Sequence, residues 1–278
     1  MRPVRLVVVA ALALLALCVP LLVQRSFSAA APAQRLVIEG STTMAPLIAA
    51  VARRFRQRHP EVTIEIVPTG SAAGIAAVRQ GRATIGMVSR SLNDDERDLY
   101  GLPIARDGVA IVVHRANPVT RLTHAQLAAV FGGSATDWRQ VGGDAGPVHV
   151  VAGPTGAGST GLFGAYLGLA GGIRSADLRP TNSGRLGIVA KDPAAIAYVS
   201  MGEAERAITA GAPLRLLPVE DIWANSKNVR SGDYPISRPL MLVSRGAPSG
   251  AARAFFNFCG PAQIDDVVAA FEFVPYLD

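Results

Sequence analysis

One unit recurs along this chain: a short apolar strand, a loop of Gly, Ser and Thr, and a helix that begins at once. It occurs at residues 35–39, where Gly40-Ser41-Thr42-Thr43 leads into an apolar-periodic run over 45–59. It returns at 62–67, where Gly70-Ser71-Ala72-Ala73-Gly74 leads into a helix from Ile75 to Gln80, and at 147–151, where the loop 153–159 leads into 160–167. Strands alternating with helices through loops this short restrict the chain to an α/β fold with a mostly parallel sheet. Pro46 suits the first helical turn, where its missing N–H costs nothing, and Pro60 ends that helix. Further strands are expected at 84–88, 108–114, 195–199 and 238–243. Helices are expected at 123–131 and, around the Gly260-Pro261 break, at 251–273.

Residues 1–31 stand apart from this pattern. Arg2 and Arg5 precede an uncharged apolar run over 6–23, and Arg25 and the small residues Ser28-Ala29-Ala30-Ala31 follow it. Basic, apolar and small-residue regions in that order predict a secretory signal peptide cut near Ala30 or Ala31. Retention as a signal anchor is the competing expectation, since 18 apolar residues also suffice to span a bilayer. Export agrees with cysteine usage: Cys18 lies in the leader and Cys259 alone remains, which leaves the mature chain no internal disulfide. Cys259 follows Phe255, Phe256 and Phe258 and is expected as a small core residue.

With the leader gone, the formal net charge of +6 loses Arg2, Arg5 and Arg25 and falls to +3. The arginines are scattered rather than set in a stripe with aromatics between them, which argues against a nucleic-acid surface. Four scattered histidines and one mature cysteine have no metal-ligand spacing, so no metal and no cofactor is expected.

The three loops share a chemistry. A helix N-terminus presents N–H groups without acceptors and about half a positive charge, and small residues let an anion approach them closely. Ser and Thr are also ordinary N-caps, so simple capping competes with an anion cradle at each loop. Two enzymatic readings of the third loop fail on residues. Ser159 stands where a nucleotide P-loop requires lysine. A nucleophile elbow at Ser159 needs a downstream histidine, whereas His59, His114, His124 and His149 all precede it.

In their order along the chain, these residues resemble the phosphate-binding periplasmic proteins of bacterial ABC importers. The motifs are Gly40-Ser-Thr-Thr-Met-Ala-Pro-Leu47, Gly70-Ser-Ala-Ala-Gly74, Ile85-Gly-Met-Val-Ser-Arg90, Arg106-Asp-Gly-Val-Ala-Ile-Val-Val113, Trp138-Arg-Gln-Val-Gly-Gly143, Ile196-Ala-Tyr-Val-Ser200 and Tyr234-Pro-Ile-Ser-Arg-Pro-Leu240. The resemblance implies a two-lobe periplasmic binding protein fold of type II. Each lobe would be a mostly parallel sheet flanked by helices, with the ligand cleft between them. Lobe I would hold 35–107 plus about 215–278, and lobe II about 108–214. It further implies a non-enzymatic, monomeric, exported protein that hands phosphate or a similar oxyanion to an inner-membrane permease. The same fold serving as a degenerate sensor, or binding sulfate, is the alternative.

Carried over by position, the ligand contacts would be Ser41, Thr42 and Thr43 from the first loop, Ser71 from the second, Ser89 and Arg90 after the next strand, and Ala157, Gly158 and Ser159 from the third. Thr84 and Gly153 depart from the resemblance: Thr84 stands where it implies an aspartate that accepts a proton from phosphate, and Gly153 where it implies an arginine. These losses suggest a cleft of neutral donors without that proton filter, with Arg90 as a substitute charge.

Overall fold

The computed structural model describes residues 34–277, so the leader expected at 1–31 lies outside the described residues. Along the chain, β1 (Gln34–Gly40), α1 (Ala45–Arg58), β2 (Val62–Pro68), α2 (Ser71–Arg79) and β3 (Ile85–Val88) come first. The long strand β4 (Leu99–His114) follows, then α3 (His124–Gly132), β5 (His149–Ala152), α4 (Gly158–Tyr166), β6 (Asp177–Leu178), α5 (Asn182–Val189) and β7 (Ala195–Ser200). The last elements are α6 (Met201–Thr209), β8 (Leu214–Leu217), α7 (Ser226–Ser231), β9 (Ser237–Arg245), α8 (Gly250–Phe258), α9 (Pro261–Ala270) and β10 (Val274–Pro275). No helix among the described residues is long and apolar enough to cross a membrane.

The sheet is mixed and runs β2-β1-β3-β9-β4-β7-β5-β6, with β8 and β10 also paired to β4. Parallel ladders join β1 to β3, and β5 to both β6 and β7. The centre is antiparallel because β4 and β9 run between the two parallel portions. The first part of β4, from Leu99 to Gly108, pairs with β9, while Val109–His114 pairs with β7 and β8. One continuous strand therefore carries both halves. The sequence pattern predicts only its second part, since residues 99–108 contain Gly, Pro, Arg and Asp and lack strand-like alternation.

Local sequence explains the elements that frame the site. Leu47, Ile48, Val51, Ala52 and Phe55 recur at helical spacing and form the buried face of α1, with proline in its first turn. Thr123 caps α3 by accepting from the Gln126 N–H, and Gly133 ends that helix in the left-handed region. All six residues of β7 are buried, as expected for a strand covered on both faces.

Two large apolar clusters flank the crossover. One gathers α1, α8, α9 and the strands around Ile38, Met87 and Leu242, with Phe55 edge-on to Phe255 and Phe258. Cys259 belongs to it, and burial pushes its thiol pKa up. The other surrounds Val109–Val113, with Phe131, Phe163 and Tyr198 in ring contact and Trp138 buried beside them. The segment after β8 joins this second cluster through Val219, Ala224, Val229, Tyr234 and Ile236. The Tyr234 hydroxyl ties it down by donating to the Val109 carbonyl at 2.8 Å.

Asp107 on β4 lies opposite Arg238 on β9, and both are buried. Asp107 Oδ2 accepts from Arg238 Nη2 at 2.9 Å and from Nε at 3.3 Å, while Oδ1 accepts from the Ser200 hydroxyl at 3.1 Å. Burial pushes the Asp107 carboxyl pKa up, against the opposing pull of Arg238 and Ser200. Replacing Arg238 by methionine strands a buried carboxylate, and denaturant titration is expected to show a loss of about 3–5 kcal/mol.

Glu205 on α6 is half-buried near Glu272 and Asp107, and burial first, then those like charges, raise its carboxyl from 4.5 to about 7. A folded state that holds this proton more tightly than the unfolded chain gains stability below pH about 4.5 and loses it as pH rises through about 7. Glu205→Gln is therefore expected to raise the melting temperature more at pH 8 than at pH 5.

Candidate functional site

The three Gly/Ser/Thr loops meet. A cavity lies between them, lined by Ser41, Thr42, Thr43, Gly70, Ser71, Ser89, Ala157, Gly158, Ser159, Pro180 and Arg185. Its volume is about 10 Å³, roughly one water position. The walls are drawn together across the cleft: Ala72 N–H donates to the Gly156 carbonyl at 3.4 Å, and the Thr42 hydroxyl to the Pro180 carbonyl at 3.4 Å. Gly158 permits this approach, because a Cβ there would lie 2.6 Å from Ser89 Oγ and 3.0 Å from Ser71 Oγ.

The N-termini of α2 and α4 open onto this cavity, and the first N–H groups of any helix have no intrahelical acceptor. Neither helix has a side-chain cap, although Ser and Thr surround both. The hydroxyls are engaged with one another instead. Ser71 Oγ accepts from Ser89 N–H at 3.1 Å and lies 3.3 Å from Ser89 Oγ. Ser41 Oγ accepts from Met44 N–H at 3.3 Å. That bond goes to Met44, the N-cap residue itself, so α1 too has no side-chain cap and plain capping explains none of the three loops.

Arg185 on α5 supplies the cavity's positive charge. It is 2% exposed, and among the described residues no carboxylate forms an ion pair with it. Its guanidinium donates to neutral acceptors only: the Tyr198 carbonyl at 3.0 Å, the Arg179 carbonyl at 2.9 Å and Asn182 Oδ1. The charge also lies over the Tyr198 ring, 5.5 Å from its centroid. Burial lowers its pKa to about 10, which leaves it charged at neutral pH. A buried guanidinium with no direct ion pair, reached by the Glu203 carboxylate only through Asn182, and facing a cavity of hydroxyl and N–H groups, is a setting that favours an anion.

Tyr198 and Asn182 hold this arrangement. The Tyr198 hydroxyl accepts from Gly153 N–H at 2.9 Å and lies 2.8 Å from Thr160 Oγ1, which pins the third loop to β7. Asn182 Oδ1 accepts from Arg185 and from Ser200 N–H, while Nδ2 donates to Thr43 Oγ1 at 3.1 Å and Glu203 Oε1 at 2.6 Å. These partners fix the amide orientation, with every strong site of Asn182 used. Burial raises the Glu203 carboxyl pKa. Arg238 adds a second layer: Nη1 donates to the Ser89 carbonyl at 3.2 Å and hydroxyl at 3.3 Å, and Nη2 to Thr43 Oγ1 at 3.4 Å.

Of the expected contacts, Ser41, Thr42, Thr43, Ser71, Ser89, Ala157, Gly158 and Ser159 come together here. Thr84 does not. It is exposed at the far end of β3 from Ser89, with its hydroxyl 3.5 Å from Val37 N–H, because a strand separates its two ends by its whole length. The residue at the cavity end of that strand is Ser89, so a carboxylate at position 84 would not reach an anion there.

Arg90 is also absent from the lining, since its guanidinium is bound to both Glu96 carboxylate oxygens at 2.6 and 2.7 Å. The expectation of a cleft of neutral donors is corrected as well. A Cβ at Gly153 would lie 2.8 Å from Arg185 Nη1, so the small residue leaves room for the guanidinium that α5 delivers. Sequence reasoning missed Arg185, Asn182 and Arg238. The one local signal was Thr181, which caps α5 by accepting from Gly184 N–H at 3.0 Å.

A family model for the PBP superfamily domain matches residues 27–259. The chain is 42% identical over 108 residues to phosphate-binding protein PstS 2 of Streptococcus pneumoniae, a match covering 38% of this chain and 37% of that relative. It therefore spans little more than a third of the pneumococcal protein's length. Against phosphate-binding protein PstS of Bacillus subtilis it is 26% identical over 250 residues, covering 87% of this chain and 81% of the relative. Among solved structures, a phosphate ABC transporter substrate-binding protein with bound phosphate from Clostridium perfringens superposes with a TM-score of 0.79 at 29% identity, covering 87% of this chain and 99% of that one. An ABC-type phosphate transport receptor from Vibrio cholerae superposes with a TM-score of 0.73 at 28% identity, covering 86% and 99%.

Removing the Arg185 guanidinium from the cavity lining tests its role. A charge-assisted hydrogen bond contributes about 1.5–3 kcal/mol, so Arg185→Gln is expected to weaken binding of an oxyanion by roughly ten- to a hundredfold in calorimetric titration.

Proposed function

This chain belongs to the PBP superfamily, and we propose that it is an exported solute-binding protein that captures phosphate, or a closely similar oxyanion, for an ABC importer. The observation that carries this reading is Arg185, a buried guanidinium without a direct ion pair among the described residues, at the meeting point of two uncapped helix N-termini and a ring of hydroxyls. Phosphate-binding relatives support the choice of ligand.

Capture follows from the crossover geometry. One lobe would comprise residues 35–107 and about 237–278, and the other about 108–236, because the segment 214–236 packs on the second part of β4. The first two loops and Ser89 belong to one lobe, and the third loop and α5 to the other. Hinge motion about β4 and β9 would open the cleft to water and admit the anion. Closure would replace its hydration shell with aimed N–H and O–H donors and present a closed surface to a membrane permease. Both lobes hold ligand groups, so a monomer suffices. The leader read at 1–31 would direct the chain out of the cytoplasm, to the periplasm or an equivalent compartment.

Calorimetric titration with phosphate of the mature chain, freed of anion by unfolding and refolding, tests the proposal. Saturable binding is expected, weakened about tenfold by Ser71→Ala. Absence of any heat or thermal stabilisation with phosphate would refute it.

A further inference from the structure

Asn182 stands behind the cavity, buried, and both ends of its amide are fully engaged. Nδ2 donates to Glu203 Oε1 at 2.6 Å and to Thr43 Oγ1 at 3.1 Å. Oδ1 accepts from Ser200 N–H at 3.2 Å and from Arg185 Nη2.

These four partners divide into two kinds. Thr43 and Arg185 line the cavity, whereas Ser200 and Glu203 belong to the corner where β7 ends and α6 begins. The corner is firmly placed: Ser200 pairs with Val109 across the β4–β7 ladder, and its hydroxyl donates to Asp107. It holds the amide with opposite chemistry at the two ends. The Ser200 N–H can only donate, and an ionised Glu203 can only accept. A planar amide anchored at one hydrogen and one lone pair has the direction of its other hydrogen and other lone pair fixed. That hydrogen meets Thr43 and that lone pair meets Arg185.

The effect on Arg185 is specific to one nitrogen. Its Nε and Nη1 are already committed to the Tyr198 and Arg179 carbonyls, so the partner that directs Nη2 is Asn182. A carboxylate on Nδ2 also polarises the amide, which makes Oδ1 the stronger acceptor for a guanidinium. Glu203 itself does not line the cavity. Its other side faces a groove that it shares with Ser183, Leu186, Ala190 and Arg206, so it acts on the site through Asn182.

We propose that Glu203 is a positioning residue: by holding one Asn182 hydrogen it sets the amide so that one carboxylate behind the cleft aims both Arg185 and Thr43. This rests on the reading of the cleft as a phosphate site.

Calorimetric titration of the anion-free mature chain with sodium phosphate, alongside Glu203→Gln and Glu203→Leu, tests the assignment. Both substitutions remove the charge, but glutamine keeps an oxygen that can accept from Asn182 and leucine keeps none. Glu203→Gln is expected to bind phosphate at least as tightly as the unaltered chain, since the acceptor stays and a negative charge behind the site is gone. Glu203→Leu is expected to bind about tenfold more weakly than Glu203→Gln, as the loss of one buried hydrogen bond implies. In an Asn182→Ala background the two are expected to bind alike, because the amide that transmits the difference is missing. Equal affinities of the two variants, or a difference that survives Asn182→Ala, overturn the assignment and leave the phosphate reading standing. Silence of the unaltered chain toward phosphate overturns that reading instead. Thermal melting accompanies each titration, and Glu203→Met takes the place of Glu203→Leu should the latter not fold.

Discussion

The buried pair of Asp107 and Arg238 sits where the two crossover strands face each other, and much of the cleft is organised from it. Two charges removed from water are costly to hold unless each finds further partners. Here those partners are the site itself. Arg238 spends its remaining N–H groups on Ser89 and Thr43, and Asp107 spends its second oxygen on Ser200 at the end of β7. Strands, first loop and third strand are thereby referred to one ionic centre. A neutral core pair at this position could pack, but it would leave the hydroxyls of the cleft without a fixed polarity.

A second centre lies on the other side of the cleft. Tyr198 holds the third loop through its hydroxyl and Arg185 through its backbone carbonyl and ring face. Asn182 then joins Arg185 to Thr43 across the cleft. These groups contribute geometry and charge together, because a guanidinium whose direct partners are all neutral remains able to attract an anion. The space it occupies beside Gly153 would not accommodate even a methyl group without displacement. The loss of a side chain at one position and the presence of a guanidinium from another element are thus a single structural fact.

Much of the architecture was legible along the chain because it rests on local rules. Periodicity and proline placement located α1 to within a residue at its C-terminus, and the run of β-branched residues located β2. Small elements were harder to see. Helix α5, with two glycines and a serine in eight residues, has little apolar periodicity and is held by its Thr181 cap and by tertiary packing. The first half of β4 was obscured by Gly101, Pro103 and Asp107, and it becomes a strand because β9 pairs with it.

The sequence by itself determined the α/β class, the three small-residue loops and the donor chemistry they carry, since strand, loop and helix follow from neighbours a few residues apart. The tertiary structure alone decided which charges reach the cavity. Thr84 and Ser89 are five residues apart yet lie at opposite ends of a strand, and Arg90 is consumed by Glu96. Arg185 and Arg238, distant in sequence from every loop they serve, arrive by packing. The reason is physical: a side chain's reach is set by the backbone that carries it, and which partner neutralises a charge depends on distances that only the folded chain defines.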